Sequence, residues 1–283
     1  MDLSVITVTW NSKAFIGEQI RSVQAGCKVI SYEQIIVDNA SGDGTGEYIQ
    51  QEFSEVRFIQ NRKNSGFGAA NNQAAKEARG EYFLFLNPDM IVVPGSLDAM
   101  VAWMRARPKA GLASCLLVNE KGEANSEAQP RRFPTWFDQL VILLKFHRLF
   151  PRLLNNYMFK DFDPAQEQTV DSVRGSFMII RREIYDKLGW AFDPRYFIWF
   201  EDVDLCREVR RLGFSVMHTP VIKCVDHIGQ SFKQRASFWK HRQFTKSMVN
   251  YFKKWEPWYV WKTLALIRFF SLPVAWAASF ILK

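Results

Sequence analysis

An α/β fold, with a parallel sheet covered by helices on both faces, is what the first 112 residues predict. Three observations carry it. Short apolar, β-rich runs alternate with stretches of helical period. The loops between them are short and rich in Asn, Ser, Gly and Asp. Hydrophobic residues make up 48% of the 283, enough to fill a substantial core.

The elements follow in order. "LSVITVTW" (3–10) is a buried strand. In the next segment Asn11 or Ser12 caps a helix with Phe15, Ile16, Ile20 and Val23 on its apolar face, and Gly26 stops it. "EQIIVDNASGDGT" gives a strand over 34–38 and a polar loop. "TGEYIQQEF" is a second helix and "VRFIQN" a third strand. "SGFGAANNQAAKEARG" is a glycine loop entering an Ala-rich helix, and "EYFLFLNPDMIV" is a strand that breaks at Asn87-Pro88-Asp89. Beyond about residue 112 the pattern loosens. "VDSVRGSFMIIRREIYDKLG" reads as strand then helix, and "GFSVMHTPVIKCVDHIGQS" as one or two strands with a His-bearing loop. No internal repeat or low-complexity linker interrupts the chain.

The formal net charge of +8 points to an anionic partner: nucleic acid, a phosphorylated ligand or an acidic membrane surface. The four cysteines (Cys27, Cys115, Cys206, Cys224) are scattered with no CxxC pair, which argues against a zinc site or disulfide framework and for a reducing compartment. "MDLSVITVTW" has neither a basic n-region nor a long apolar run, so a cytoplasmic location is expected.

Several segments carry candidate chemistry, each beside a plainer reading. In open α/β sheets ligands bind outside the carboxyl ends of the strands, so the loops holding Asp38 and Asp89 should share a crevice. Asp38 at a strand end can accept from a base or ribose; the same loop is also an ordinary turn with Asp43 or Thr45 capping. Gly66 and Gly68 open a helix whose N-terminus suits phosphate, although no GxGxxG or GK[ST] pattern is present. Asp89, next to a turn-fixing proline, suits Mg²⁺ or Mn²⁺ held against phosphate, or a plain cap. Arg174 and Gly175 precede a strand and could line a substrate pocket; a plain loop reads as well. In "FEDVDLCREV" (200–209), Glu201, Asp202, Asp204 and Glu208 start a helix, where the dipole favours carboxylates; a base there needs burial among Phe197, Trp199 and Phe200. His227 ends a strand as a structural residue or a second cation ligand.

In order, "SVITVTWNS", "IIVDNASGDGT", "NSGFGAANN", "FLFLNPD", "RGSFMIIRRE", "FDPRYFIWFEDVDLCREVRRLG" and "DHIGQS" resemble the family 2 glycosyltransferases, inverting enzymes of GT-A fold, which implies a mixed, mostly parallel sheet with helices on both faces. The likeness spans about residues 3–231 and is nearest the rhamnosyltransferase-type branch of bacterial surface polysaccharide synthesis. It implies a catalytic domain over 1–232, with a nucleotide-binding half to about 112 and an acceptor-binding half from 113, then a C-terminal helical, membrane-associating extension over 233–283. It implies Asp202 as the catalytic base, with Glu201, Trp199, Arg174 and Gly175 around the acceptor. Thr9, Asn11, Asp38, Asn39, Ser41, Asn64, Gly66, Asn72, Asn87 and Asp89 would contact the donor, with Asp38 accepting from the base N3–H. Asp89 and His227 would hold Mg²⁺ or Mn²⁺. Asn87 stands where the family's Asp-x-Asp begins, which removes a charge and weakens the case for metal dependence.

The resemblance makes dTDP-L-rhamnose the expected donor, with UDP-sugars next, and a saccharide or polyprenyl-diphosphate-linked saccharide the acceptor. A nucleotidyltransferase would need a Gly-rich, Lys/Arg-bearing N-terminal loop that "TVTWNS" lacks; a catalytically inactive nucleotide-sugar-binding scaffold is the non-enzymatic alternative. Residues 136–154 set Trp136, Phe137, Leu140, Val141 and Leu144 against Lys145, Arg148 and Arg152, an amphipathic helix that reads equally as interfacial or core-packed. In the tail, Lys262, Arg268 and Pro273 argue against a spanning helix. Peripheral docking on the anionic inner face of the cell membrane is expected, which accounts for the positive charge without nucleic acid. Membrane insertion of the C-terminus, or its use in joining two copies as a homodimer, stays open beside that.

Overall fold

The alternating residues of the first strand pack into two different cores. In β1 (Leu3–Thr9), Leu3 and Val5 face one side and Ile6 the other, as successive strand side chains must. β4 (Tyr82–Leu86) repeats the division, with Phe83 and Phe85 on the Ile6 side and Tyr82, Leu84 and Leu86 opposite. The computed structural model describes residues 1–227 and 236–281; the expected domain boundary at 232–233 and residues 228–231 of the "DHIGQS" motif lie outside them.

The sheet runs β3 (Arg57–Gln60), β2 (Tyr32–Asp38), β1, β4, β8 (Phe177–Arg181), β6 (Ala110–Val118), β9 (Ser215–Asp226), β5 (Met90–Val92), with β7 (Gln168–Thr169) also on β9. β3, β2, β1 and β4 are mutually parallel. β8 then enters antiparallel between β4 and β6, while β6 and β9 are parallel. The sheet is mixed as expected, and its uninterrupted parallel part is the first half of the chain.

Helices cover both faces. α3 (Phe67–Glu77) and α7 (Glu201–Arg211) contribute Ala70, Ala74, Leu205 and Val209 to the Ile6 side. α1 (Lys13–Gly26) and α4 (Ser96–Arg105) place Val23, Leu97, Met100 and Met104 on the other. α2 (Thr45–Glu52) closes a smaller cluster with Ile16, Ile20 and Ile36. α6 (Arg182–Leu188) follows β8.

Of the two capping candidates Ser12 is the N-cap position, without a side-chain cap bond. Two expectations are corrected. Gly26 is the last, buried residue of α1 rather than a stop beyond it, and a Cβ there would sit 3.1 Å from both Leu97 and Val92. The run 136–154 is not one helix. α5 (Trp136–Leu143) is started by a Thr135–Asp138 capping box, and left-handed Lys145 (φ 57°) ends the helical path. Two 3₁₀ turns follow, Phe146–Arg148 and Pro151–Leu154.

Two helices complete the chain. α8 (Ser237–Trp255) buries Met248, Tyr251 and Phe252 against Tyr196 and Phe200. α9 (Trp258–Ile281) packs on α8 and α5 and carries Pro273 within it. Among the described residues, no helix is long and apolar enough to cross a membrane.

Candidate active site

Thr9, Asp38 and the Asn87–Asp89 turn sit at the same end of the parallel strands, since Thr9 pairs with Asp38 and Leu86 ends β4. The loop after β2 is fastened to the loop after β1. Asn11 N–H donates to Ser41 Oγ at 2.8 Å, and Gly42 N–H to Asn11 Oδ1 at 2.8 Å. Asn11 and Ala40 adopt left-handed backbone to do so. Asp43 accepts from Thr45 N–H at 3.1 Å and from Lys13 N–H at 3.1 Å, tying the starts of α2 and α1 together, while the N-cap position of α2 is Gly44 rather than Asp43 or Thr45.

Asp38 is fully buried and already served: Gln60 Nε2 donates to it at 2.6 Å and Ser41 through both N–H and Oγ. Asn39 is buried as well, accepting from Ser65 and donating toward Asn64 and Gly66. Thr9 Oγ1 is buried and has no hydrogen-bond partner among the described residues.

A cavity of about 100 Å³ opens at this end, lined by Asn39, Asn64, Gly66, Asn87, Trp10 and Trp239 among others. Four of the expected donor contacts therefore share one space. Trp239, from α8, was not anticipated, because nothing in a distant helical segment marks it as facing a loop after β2.

Two expectations here are corrected. Asn72 does not line this cavity; its amide donates to Phe192 O at 2.6 Å and accepts from Ala191 and Phe192 N–H at 2.9 Å. That clasp joins α3 to the loop before α7. The α3 N-terminus is not an open phosphate seat either, because Phe67 N–H donates to Phe197 O at 2.8 Å. Gly66 (φ +92°) makes that approach possible: a Cβ there would stand 2.5 Å from Phe197 O.

Asp89 is nearly buried, and its carbonyl accepts from His227 N–H at 3.2 Å. β5 and β9 pair Met90 with Asp226, so Asp89 and His227 leave neighbouring positions of one ladder. Glu120 Oε1 lies 2.8 Å from His227 Nδ1, so Nε2 is the atom through which the ring would ligate. One carboxylate and one imidazole suit a hard divalent cation that keeps waters and takes phosphate oxygens. Among the described residues no group of three or more His, Cys, Asp or Glu forms a fuller cage.

Asp202 lines a second cavity of about 110 Å³ together with Arg131, Tyr157, Arg174, Trp199 and Phe244. Its Oδ2 accepts from Gly175 N–H at 3.1 Å and its Oδ1 from Val203 N–H at 2.8 Å. The next residue, Ser176, accepts from Asn87 N–H at 3.0 Å. A two-residue bridge thus connects Asp202 to the Asn87–Asp89 turn. Arg174 itself is exposed and donates to the Glu127 carbonyl.

Burial pushes the Asp202 carboxyl above its usual range, against the pull of its backbone donors and of Arg174 and Arg131. Glu201 is buried with Oε2 unpartnered among the described residues, and burial with the neighbouring Asp202 charge holds its pKa well up. Glu201 does not line the Asp202 cavity, which corrects its expected place at the acceptor.

The other acids of α7 do different work. Asp204 is fully buried and accepts from Lys254 Nζ at 2.7 Å, Trp255 Nε1 at 2.6 Å and Tyr196 OH at 3.2 Å. Glu208 and Asp193 also meet Lys254, at 2.7 and 2.9 Å. Burial works against the Lys254 ammonium, but Asp204, Glu208 and Asp193 more than offset it and hold its pKa up. Burial also raises Asp204, which Lys254 and Trp255 oppose, as expected with three carboxylates around one ammonium. This cluster fixes α8 to the body of the protein. α8 also fastens the segment before Asp202: Ser247 Oγ donates to Ile198 O at 2.8 Å and Asn250 Nδ2 to Arg195 O at 3.0 Å. Within that segment Trp199 (φ 67°) and Phe200 (φ 69°) are consecutive left-handed residues, a conformation costing about 1–2 kcal/mol each.

The sequence profile of Glycosyl transferase family 2 matches residues 4–189. N-acetylglucosaminyl-diphospho-decaprenol L-rhamnosyltransferase of Mycobacterium tuberculosis is 27% identical over 210 residues, covering 70% of this chain and 67% of that protein. Rhamnosyltransferase WbbL of Escherichia coli is 27% identical over 184 residues, covering 62% of this chain and 66% of that protein. A mannosyltransferase from Pyrobaculum calidifontis, solved with GDP-Man and Mn²⁺, superposes with a TM-score of 0.59 at 18% identity, covering 98% of this chain and 73% of that one. TarS of S. aureus with UDP gives a TM-score of 0.55 at 18% identity, covering 89% of this chain and 66% of that one.

Proposed function

The chain belongs to glycosyl transferase family 2, and from that premise we propose that it is an inverting rhamnosyltransferase. The donor is dTDP-L-rhamnose. The acceptor is a hydroxyl of a saccharide carried on a polyprenyl diphosphate, in bacterial surface polysaccharide synthesis. The observation that carries the reading is the bridge from Asp202 through Gly175 and Ser176 to the Asn87–Asp89 turn. It links a buried carboxylate to the turn that carries Asp89, which supports a base and a cation site acting on one substrate pair.

Asp202 takes the proton of the acceptor hydroxyl. The oxygen bonds to the anomeric carbon as the bond from that carbon to the diphosphate oxygen breaks, and attack from the far face inverts the configuration. Positioned proton transfer of this kind supplies a factor of about 10²–10⁴. Asp89 and His227 would hold Mg²⁺ or Mn²⁺, which when bound neutralises charge on the departing diphosphate. Asn39, Asn64 and Trp10 line the side where the nucleoside would lie. The unpartnered Thr9 hydroxyl supports a polar ligand nearby.

Docking on an anionic leaflet is supported by exposed Trp258, Tyr259, Phe269 and Phe270 on α9 and by Phe146, Leu149 and Phe150 beside Lys145, Arg148 and Arg152. α9 packs on α5, the helix that leads into the second group.

The test is thermal melting with dTDP and UDP, with and without Mn²⁺. Ligand at about 100 times its Kd stabilises by about 2.7 kcal/mol, a rise of several degrees. The reading expects dTDP to give the larger shift, and Asp89→Ala to lose the Mn²⁺-dependent part. No shift with either nucleotide would overturn the transferase reading.

A further inference from the structure

The cavity over Asp202 has a basic wall that proton abstraction does not require. Arg131 and Arg174 both line it. Other arginines nearby are neutralised by carboxylates: Arg207 by Glu256, Arg210 by Asp171, Arg211 by Glu208. Arg131 and Arg174 are not ion-paired among the described residues. Arg131 stacks over the Tyr157 ring at 5.7 Å and Arg174 reaches only a carbonyl. Two guanidinium groups facing one carboxylate leave the cavity with a positive surplus. Planar guanidinium forks match phosphate oxygens well.

Tyr157 also joins this cavity to the surface. It packs with Val141 and Leu154 on the inner side of the 136–159 segment, and its carbonyl accepts from Arg132 N–H at 3.1 Å. The outer side of the same segment exposes Leu144, Phe146, Leu149, Phe150 and Leu153, with Leu149 74% and Phe150 60% accessible. One short stretch of chain therefore backs a cationic pocket and presents an apolar ledge.

We infer that Arg131 and Arg174 form a phosphate subsite for the acceptor, holding the phosphate that joins its sugar to an apolar chain, while that chain lies along the ledge of residues 144–153. This rests on the transferase reading and adds to it the group by which the acceptor is recognised. Such an acceptor brings its phosphate to the arginines and its hydroxyl to Asp202, whereas a neutral glycoside engages only the second.

The experiment measures binding of geranyl diphosphate, geraniol and inorganic pyrophosphate to the full chain, with dTDP saturating so that the donor side is filled. Wild type is expected to bind geranyl diphosphate, and Arg131→Gln/Arg174→Gln to bind it roughly tenfold or more weakly, the loss typical of hydrogen bonds to charged groups. The dTDP affinity of that variant should be unchanged, and Arg131→Lys/Arg174→Lys should recover part of the loss. Unchanged affinity in the glutamine variant, or geraniol binding as tightly as its diphosphate, overturns the subsite. Pyrophosphate binding as tightly as geranyl diphosphate overturns the ledge. Should the double variant fail to fold, Arg174→Gln alone, at an exposed position, reads the same loss at smaller size. If wild type binds no dTDP, the transferase reading falls and the acceptor subsite with it; intact dTDP binding with no arginine effect sinks the subsite alone.

Discussion

The two carboxylate pairs of helix 201–211 share one element and have opposite surroundings. Asp204 and Glu208 point toward α8 and meet Lys254. Glu201 and Asp202 meet no cation within ion-pairing distance among the described residues, and burial raises both. The first pair is compensated and holds the structure together; the second carries the cost of burial, which fits the proton transfer proposed for Asp202. Acidity in the sequence is thus no guide to role. The cation opposite each acid decides it, and that cation comes from elsewhere in the chain.

The sharpest way to break this contrast is Asp202→Asn. Turnover should fall by a factor of about 10²–10⁴, while the dTDP-induced rise in melting temperature persists. Near-wild-type turnover would move the base elsewhere. With Asp202 as the proposed base, its raised pKa should place the acid limb of the wild-type kcat profile above the ordinary 3.8, because a base must be ionised to act.

Next in size is Lys254→Met. Removing the ammonium from three buried carboxylates should cost about 3–5 kcal/mol, seen in the urea midpoint. A change under about 1 kcal/mol would mean that the cluster is not what fixes α8.

The smallest effect is expected from Glu201→Gln. With a folded pKa above the ordinary 4.5, Glu201 contributes stability at pH below its unfolded value, and this is lost as pH rises through the folded value. Melting of wild type relative to the variant should therefore worsen from acid to neutral pH, by on the order of 1 kcal/mol. A pH-independent difference would show that Glu201 has a partner at neutral pH.

The first half of the fold was legible because fully buried parallel strands leave dense apolar runs between polar turns, as in "SVITVT" and "YFLFL". The mixed second half was less so. β9 takes β6, β5 and β7 as neighbours, and no local period encodes partners that far apart. At the site, Asn39, Asn64, Gly66 and Asn87 could be grouped because they end consecutive strands or open a helix, and they line one cavity. Arg131, Trp239 and Lys254 could not, because each acts across a long separation. Asn72 and the α3 N-terminus misled for one reason: backbone from residues 191–197 had already taken the hydrogen bonds assigned to a ligand.

The paired left-handed residues Trp199 and Phe200 have a practical consequence. Two L-residues in that conformation do not persist unaided, and the side chains Ser247 and Asn250 reach across to pin their stretch. Helix 237–255 is therefore a splint for the peptide that presents Asp202, whatever the outer helix does at a lipid surface. Trimming the chain from Trp258 onward would leave that splint in place; trimming it from Ser237 would let the crooked peptide straighten and take the acid out of its working posture.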